Sequence, residues 1–128
     1  MINKNKVYKI LVAEDEEVNY YYIQNLLEEF SGLNYKLLHA ANGLEAIDLC
    51  NKNQDIDLIL LDIRMPLLNG IDAAKEIRIK NSRVPIVIQS AYSTLTDKSN
   101  ANAAGCTDFI MKPLEPITFK NMLKKYLQ

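Results

Sequence analysis

Apolar residues along the chain follow two spacings in turn. Unbroken runs at Ile10-Leu11-Val12-Ala13, Leu58-Ile59-Leu60-Leu61 and Ile86-Val87-Ile88 read as short strands buried on both faces. Tyr35 to Ala40 and Phe109-Ile110-Met111 read as two more. Between the strands the period lengthens. Ile23, Leu26, Leu27 and Phe30 fall at i, i+3, i+4, i+7, and so do Phe119, Met122, Leu123 and Tyr126.

Asn42-Gly43 opens a helix predicted to bury Leu44, Ile47 and Cys50. Asn69-Gly70 opens another, with Ile71, Ala74 and Ile77 inward. Ser93 to Ala104 is helical by position but has only Leu95 and alanines to bury, so weak packing is expected. Gly32 and Gly105 stop helices, and Pro116 suits the first turn of the last one.

Strand and helix thus alternate five times. That pattern specifies a parallel sheet with helices on both faces. The fold class expected is α/β, a single doubly wound (βα)5 flavodoxin-like domain with strand order 2-1-3-4-5. Residues 1–8 are expected to be a disordered or linker-like lead, and 9–128 the domain.

Composition narrows the class. The 128 residues carry 48% hydrophobic positions and a net charge of −1, as a globular domain does. No Lys/Arg block exceeds two residues, so a nucleic-acid surface is not expected. No stretch is apolar enough to span a membrane, and no secretory signal precedes the first strand. A cytoplasmic protein follows as the expectation. Cys50 and Cys106 lie too far apart for a metal or redox pair and read as reduced core residues.

The candidate chemistry stands at the carboxyl ends of the strands, where open α/β sheets bind ligands. The first strand ends in Glu14-Asp15, the third in Asp62, the fourth in Ser90 and the fifth in Lys112. Strands one and three are neighbours at the switch point, so their acids should share one crevice. Three carboxylates there would repel and tend to hold protons. A Mg²⁺ ion, which prefers hard oxygen ligands, would relieve that. A metal, a lysine, a hydroxyl and an acid nucleophile equip a site for phosphoryl transfer onto a carboxylate. Asp57 lies about 16 Å from Asp62 along its strand and is expected to stay out of the site.

Each residue also has a plainer reading. Asp62 could be a turn acid. Glu14 and Asp15 could favour the start of the first helix electrostatically. Ser90 could bond locally, Lys112 could be solvated, and Phe109 could be core alone. An enzyme or nucleotide binder on this fold would need a glycine-rich phosphate loop, and none is present.

Four stretches in order, Ile10-Leu11-Val12-Ala13-Glu14-Asp15-Glu16, Leu61-Asp62-Ile63-Arg64-Met65-Pro66, Gln89-Ser90-Ala91 and Phe109-Ile110-Met111-Lys112-Pro113, resemble the receiver domain of two-component response regulators. The resemblance covers Lys9 to Leu127. It implies Asp62 as phosphoacceptor, Asp15 as direct Mg²⁺ ligand, and Glu14 as a ligand through water. It also implies the Arg64 backbone carbonyl as a further ligand, Ser90 and Lys112 on the phosphoryl group, a cis Lys112–Pro113 bond and Phe109 as an aromatic switch. Arg64 and Tyr92 would flank the phosphoryl group and slow its loss.

The partners implied are a histidine kinase or histidine phosphotransfer domain. A downstream protein would be met through Ser93–Ala104, the last strand and the last helix. A homodimer is compatible, and no direct nucleic-acid or membrane contact is implied. The domain would be a self-phosphorylating and dephosphorylating signalling module rather than an enzyme. Ala13 to Asn19, with Gly105-Cys106, looks most like receivers of hybrid sensor histidine kinases, and a stand-alone regulator fits equally. The alternative is a receiver-like binding module that is never phosphorylated.

Overall fold

The computed structural model describes residues 1–91 and 94–128. Five strands and five helices alternate: β1 Val7–Ala13, α1 Glu17–Glu28, β2 Asn34–Ala40, α2 Gly43–Lys52, β3 Leu58–Asp62, α3 Gly70–Lys80, β4 Ile86–Ser90, α4 Leu95–Ala103, β5 Asp108–Met111 and α5 Pro116–Tyr126. The sheet is parallel throughout, in the order β2-β1-β3-β4-β5. That is the predicted architecture.

The sheet carries one core on each face. Ile59 and Leu61 of β3 point to the layer that holds Ile71, Ala74 and Ile77 of α3. Leu58 and Leu60 point to the opposite layer, with Ile23 and Leu27 of α1 and Phe119 and Leu123 of α5. All five residues of β3 and of β4 are buried. A side chain at either strand's carboxyl end is therefore held by a rigid backbone rather than by a loop.

Four expectations are corrected. The strand predicted from Ile10 begins at Val7, and Tyr8, placed in the linker-like lead, is wholly buried. Its hydroxyl accepts the Asn3 amide at 2.8 Å. The lysines around Tyr8 hid this strand: Lys6 pairs with Asp57 and Lys9 with Asp55, both at 2.8 Å. Leu44 of α2 is 51% exposed, and the inward face is Ala46 with Ile47, Leu49 and Cys50 beside it. Phe30 lies two residues past the end of α1, partly buried against the core. Leu95 of α4 is 87% exposed; Ala101 is the buried residue of that helix, and Ala104 the next beyond it.

Polar side chains start three of the helices. Asn42 accepts the Glu45 amide, Asn69 the Asp72 amide and Thr94 the Asp97 amide, each satisfying a donor the helix leaves open. Two glycines answer to close approach of backbone. A Cβ on Gly70 would lie 2.1 Å from the carbonyl oxygen of Asp62, and one on Gly43 would lie 2.2 Å from that of Leu68. Gly70 and Gly43 donate backbone amides to Ile63 and Leu68. The loop after β3 is thereby strapped to the starts of α3 and α2. Leu67, in that loop, has φ of 68°.

Candidate functional site

β1 and β3 pair in register from Ile10↔Leu58 to Ala13↔Leu61. Their next residues, Glu14 and Asp62, emerge side by side at the carboxyl edge. β5 ends one strand further along, and Lys112 reaches back across β4. Its ammonium donates to Glu14 Oε1 at 2.8 Å and to Asp62 Oδ2 at 2.7 Å. Glu14 is fully buried and Asp62 is 5% exposed. One cation thus bridges two buried carboxylates that come from positions 14 and 62 of the chain.

The backbone supports both acids. The Glu16 amide donates to Glu14 Oε2 and the Arg64 amide to Asp62 Oδ1, each at 3.3 Å. The Lys112 amide donates to the Ser90 carbonyl at 2.7 Å, stitching the end of β5 to the end of β4. Ser90 itself is 2% exposed. The Lys112–Pro113 bond is cis.

Electrostatics follow from the burial. Loss of water around the Glu14 carboxyl, together with the charge of Asp62, pushes it up to about 7 against the pull of Lys112. Burial works to lower the Lys112 ammonium, but its hydrogen bonds to Asp62 and Glu14 outweigh that and raise it. At Glu14, loss of water first and the Asp62 charge second outweigh the pull of Lys112.

The carboxylate oxygens of Glu14, Asp15 and Glu16 lie within 4.8 Å of one another. Glu14 is buried, while Asp15 and Glu16 are exposed. Such a set offers hard oxygen donors and a local excess of negative charge; Asp62, the predicted ligand from β3, is not one of the three and lies across the Lys112 ammonium from Glu14. The set fits a small divalent cation of the Mg²⁺ kind. Asp57 pairs with Lys6 and the Lys9 amide at the other end of β3, outside the site as expected. Phe109 is half-buried against the α3 and α4 layer, with Lys98 Nζ 6.0 Å from its ring. Tyr92 and Ser93 lie outside the described residues.

A family model described as the response regulator receiver domain matches residues 10–124. The chain belongs to this family. The sporulation initiation phosphotransferase F of Bacillus subtilis is 32% identical to it over 120 residues, covering 93% of each chain. The uncharacterized transcriptional regulatory protein YrkP of B. subtilis is 41% identical over 107 residues, and there the match spans only 43% of the relative's length. Among solved structures, the receiver domain of the sensor histidine kinase PA1611 from Pseudomonas aeruginosa PAO1 superposes with a TM-score of 0.84 at 31% identity, covering 95% of this chain and 98% of that one. That receiver holds a magnesium ion in its active-site cleft. The receiver domain of Saccharomyces cerevisiae Ssk1, solved with the histidine phosphotransfer protein Ypd1, gives a TM-score of 0.80 at 28% identity, with 94% and 89% covered.

Two residues beside this receiver's acids were given no role by the sequence. Gln89, next to Ser90, pairs in register with Asp62 and is 1% exposed. Its carboxamide has no hydrogen-bond partner among the described residues. It borders a cavity of about 200 Å³ between α1 and the loop after β5, with Asn19, Tyr22, Lys112 and Pro113. His39, at the end of β2, places Nε2 2.8 Å from the backbone oxygen of Glu14. Only the strand register shows that position 39 lies beside position 14. Both cysteines are unpaired and half-buried, and loss of water pushes both thiols up to about 11. Among the described residues no helix is long and apolar enough to cross a membrane.

Proposed function

We propose that Asp62 accepts a phosphoryl group from the phosphohistidine of a histidine kinase or histidine phosphotransfer domain. The observation that carries this is the Lys112 ammonium, partly buried at the carboxyl edge of the sheet and held between the buried Glu14 and Asp62. A lysine so placed can pass from the acids to an incoming phosphoryl oxygen without leaving its pocket. An Asp62 carboxylate oxygen attacks phosphorus, an acyl phosphate bond forms, and the P–N bond to the imidazole breaks. The freed imidazole takes up a proton from water.

Mg²⁺ bound by Asp15, Asp62 and the Arg64 carbonyl, and by Glu14 through water, would neutralise charge gathering on the phosphoryl oxygens. Ser90 donates its hydroxyl to the transferred group, and Lys112 pairs with it. Arg64, two residues past Asp62, would shield the acyl phosphate from water, and Tyr92, two past Ser90, is given the same role from the sequence alone, so loss of phosphate is slow. Arg64→Ala and Tyr92→Ala should shorten its half-life; an unchanged half-life overturns that role.

The readout follows from packing. Ser90 and Lys112 are drawn toward the new charge, and Phe109 turns inward. The weakly anchored α4 then repopulates, changing the surface of α4, β5 and α5 that a downstream partner meets. Amide exchange across α4 should change with phosphorylation.

The decisive experiment incubates the protein with acetyl phosphate, with and without Mg²⁺, and follows intact mass. A gain of one phosphoryl group that needs Mg²⁺ and is lost in Asp62→Asn is expected. An unchanged mass with Mg²⁺ present refutes the reading.

A further inference from the structure

We infer that His39 and Tyr20 form a clamp that presets the Glu14–Asp15 turn for a divalent cation. The inference rests on the reading that this turn binds Mg²⁺, and adds two residues to it.

β1 and β2 pair in register up to Ala13↔Ala40, and the Glu14 amide extends the ladder by donating to the Ala40 carbonyl at 2.9 Å. Beyond that point β2 has no more backbone to offer. Asn42, whose amide would continue the ladder to Glu14, has already turned out of the strand as the N-cap of α2. The Glu14 carbonyl would lose its sheet partner there. The His39 ring takes that place, with Nε2 2.8 Å from the oxygen. A carbonyl can only accept, so Nε2 carries a hydrogen and donates it.

Tyr20 fixes the ring. The two rings stack with centroids 3.7 Å apart and planes at 17°. Tyr20 belongs to the first turn of α1, its amide bonded to the Glu16 carbonyl at 3.0 Å. The clamp therefore joins β2, the acidic turn and α1.

Its consequence lies in one peptide plane. The Glu14 carbonyl and the Asp15 nitrogen belong to the same rigid unit, so orienting the carbonyl orients the Asp15 backbone. The Glu14 side chain is already fixed by Lys112 and the Glu16 amide. Asp15 is exposed, and the direction of its carboxylate depends on that plane. Partners that act on a metal ligand from behind typically change affinity by about 10–100-fold. A contact acting through the backbone should fall at or below the lower end.

The test measures Mg²⁺ affinity of the intact chain by calorimetric titration, alongside urea unfolding. His39→Ala should raise the Kd about three- to tenfold, and His39→Gln, which keeps an N–H donor, should recover part of it. Tyr20→Leu should weaken binding in the same direction, and Tyr20→Phe should not. Because the pair acts as one unit, the double variant His39→Ala/Tyr20→Leu should bind no worse than His39→Ala alone. A merely structural role would lower the unfolding midpoint and leave the Kd in place. A His39→Ala Kd within twofold of the native value, or fully additive losses in the double variant, overturns the clamp. No saturable Mg²⁺ binding by the native chain would overturn the site reading itself.

Discussion

Replacing Lys112 by Met tests the electrostatics of the site most directly. The side chain of Lys112 is 15% exposed, and those of Glu14 and Asp62 are 0% and 7% exposed. Methionine keeps the apolar stem and deletes the charge. Two buried carboxylates are then left facing each other with no cation between them. Removing one partner of a buried ion pair costs about 3–5 kcal/mol, and that loss is expected near pH 8 without Mg²⁺.

The loss should depend on pH in a definite direction. The Glu14 carboxyl sits at about 7 against an ordinary 4.5. The folded protein therefore holds this proton more tightly than the unfolded chain does. Even in the native protein, stability from this group is full below 4.5 and is lost as pH rises through 7, about 3 kcal/mol in all. Lys112 opposes that rise, so without it the carboxyl stays protonated to higher pH. Near pH 5 Glu14 is neutral in both proteins and its charge no longer opposes that of Asp62. The deficit of Lys112→Met there should be well below its value near pH 8. Urea unfolding followed by far-ultraviolet circular dichroism gives both values. A deficit under about 1 kcal/mol near pH 8, or an equal deficit at the two pH values, would refute the reasoning.

Three further outcomes test the scaffold that presents the site. Gly70→Ala places a methyl 2.1 Å from the Asp62 carbonyl oxygen and should cost about 3 kcal/mol in urea unfolding; a native midpoint would show that the loop can yield. Leu67→Gly relieves a left-handed residue that is 76% exposed. Relief of about 1–2 kcal/mol, less about 0.4–1 kcal/mol of added chain entropy, should leave a small net gain, and a loss would contradict it. Thr94→Ala removes the cap on the Asp97 amide, 2.9 Å away, from a helix with one buried residue. Hydrogen exchange across 95–103 should speed up by about 1 kcal/mol of local opening while the global midpoint barely moves. Unchanged exchange would mean that packing, rather than the cap, holds α4.

Legibility in the sequence varied with what held each residue. Glu14, Asp62 and Lys112 could be placed because they follow short apolar strands, and a run such as Leu58–Leu61 fixes both its own burial and the point where it ends. Tyr8 was missed because Lys6 and Lys9 surround it. Their charges are met by Asp57 and Asp55, which lie near in space and far in sequence. Leu44 was assigned inward with Ile47 and Cys50, which do pack on the core; steps of three residues drift about 60° each around a helix, and Leu44 falls off the face on which Ala46 is wholly buried.

The same distinction explains why the partners of the acids were harder to read than the acids. The position of Asp62 can be read from its own strand, and its role from the other residues that end strands. His39 matters because Ala13 pairs with Ala40, because β2 gives way to the α2 cap at Asn42, and because the phase of α1 brings Tyr20 over its ring. Each is a long-range fact, and none leaves a spacing in the sequence. Gln89 is a similar case: its spacing gives it no role, and its register with Asp62 buries it. Groups that would contact a phosphoryl group or a metal are set by the strand that carries them. Groups that set their orientation are fixed by neighbouring strands and helices, and so come into view only with the fold.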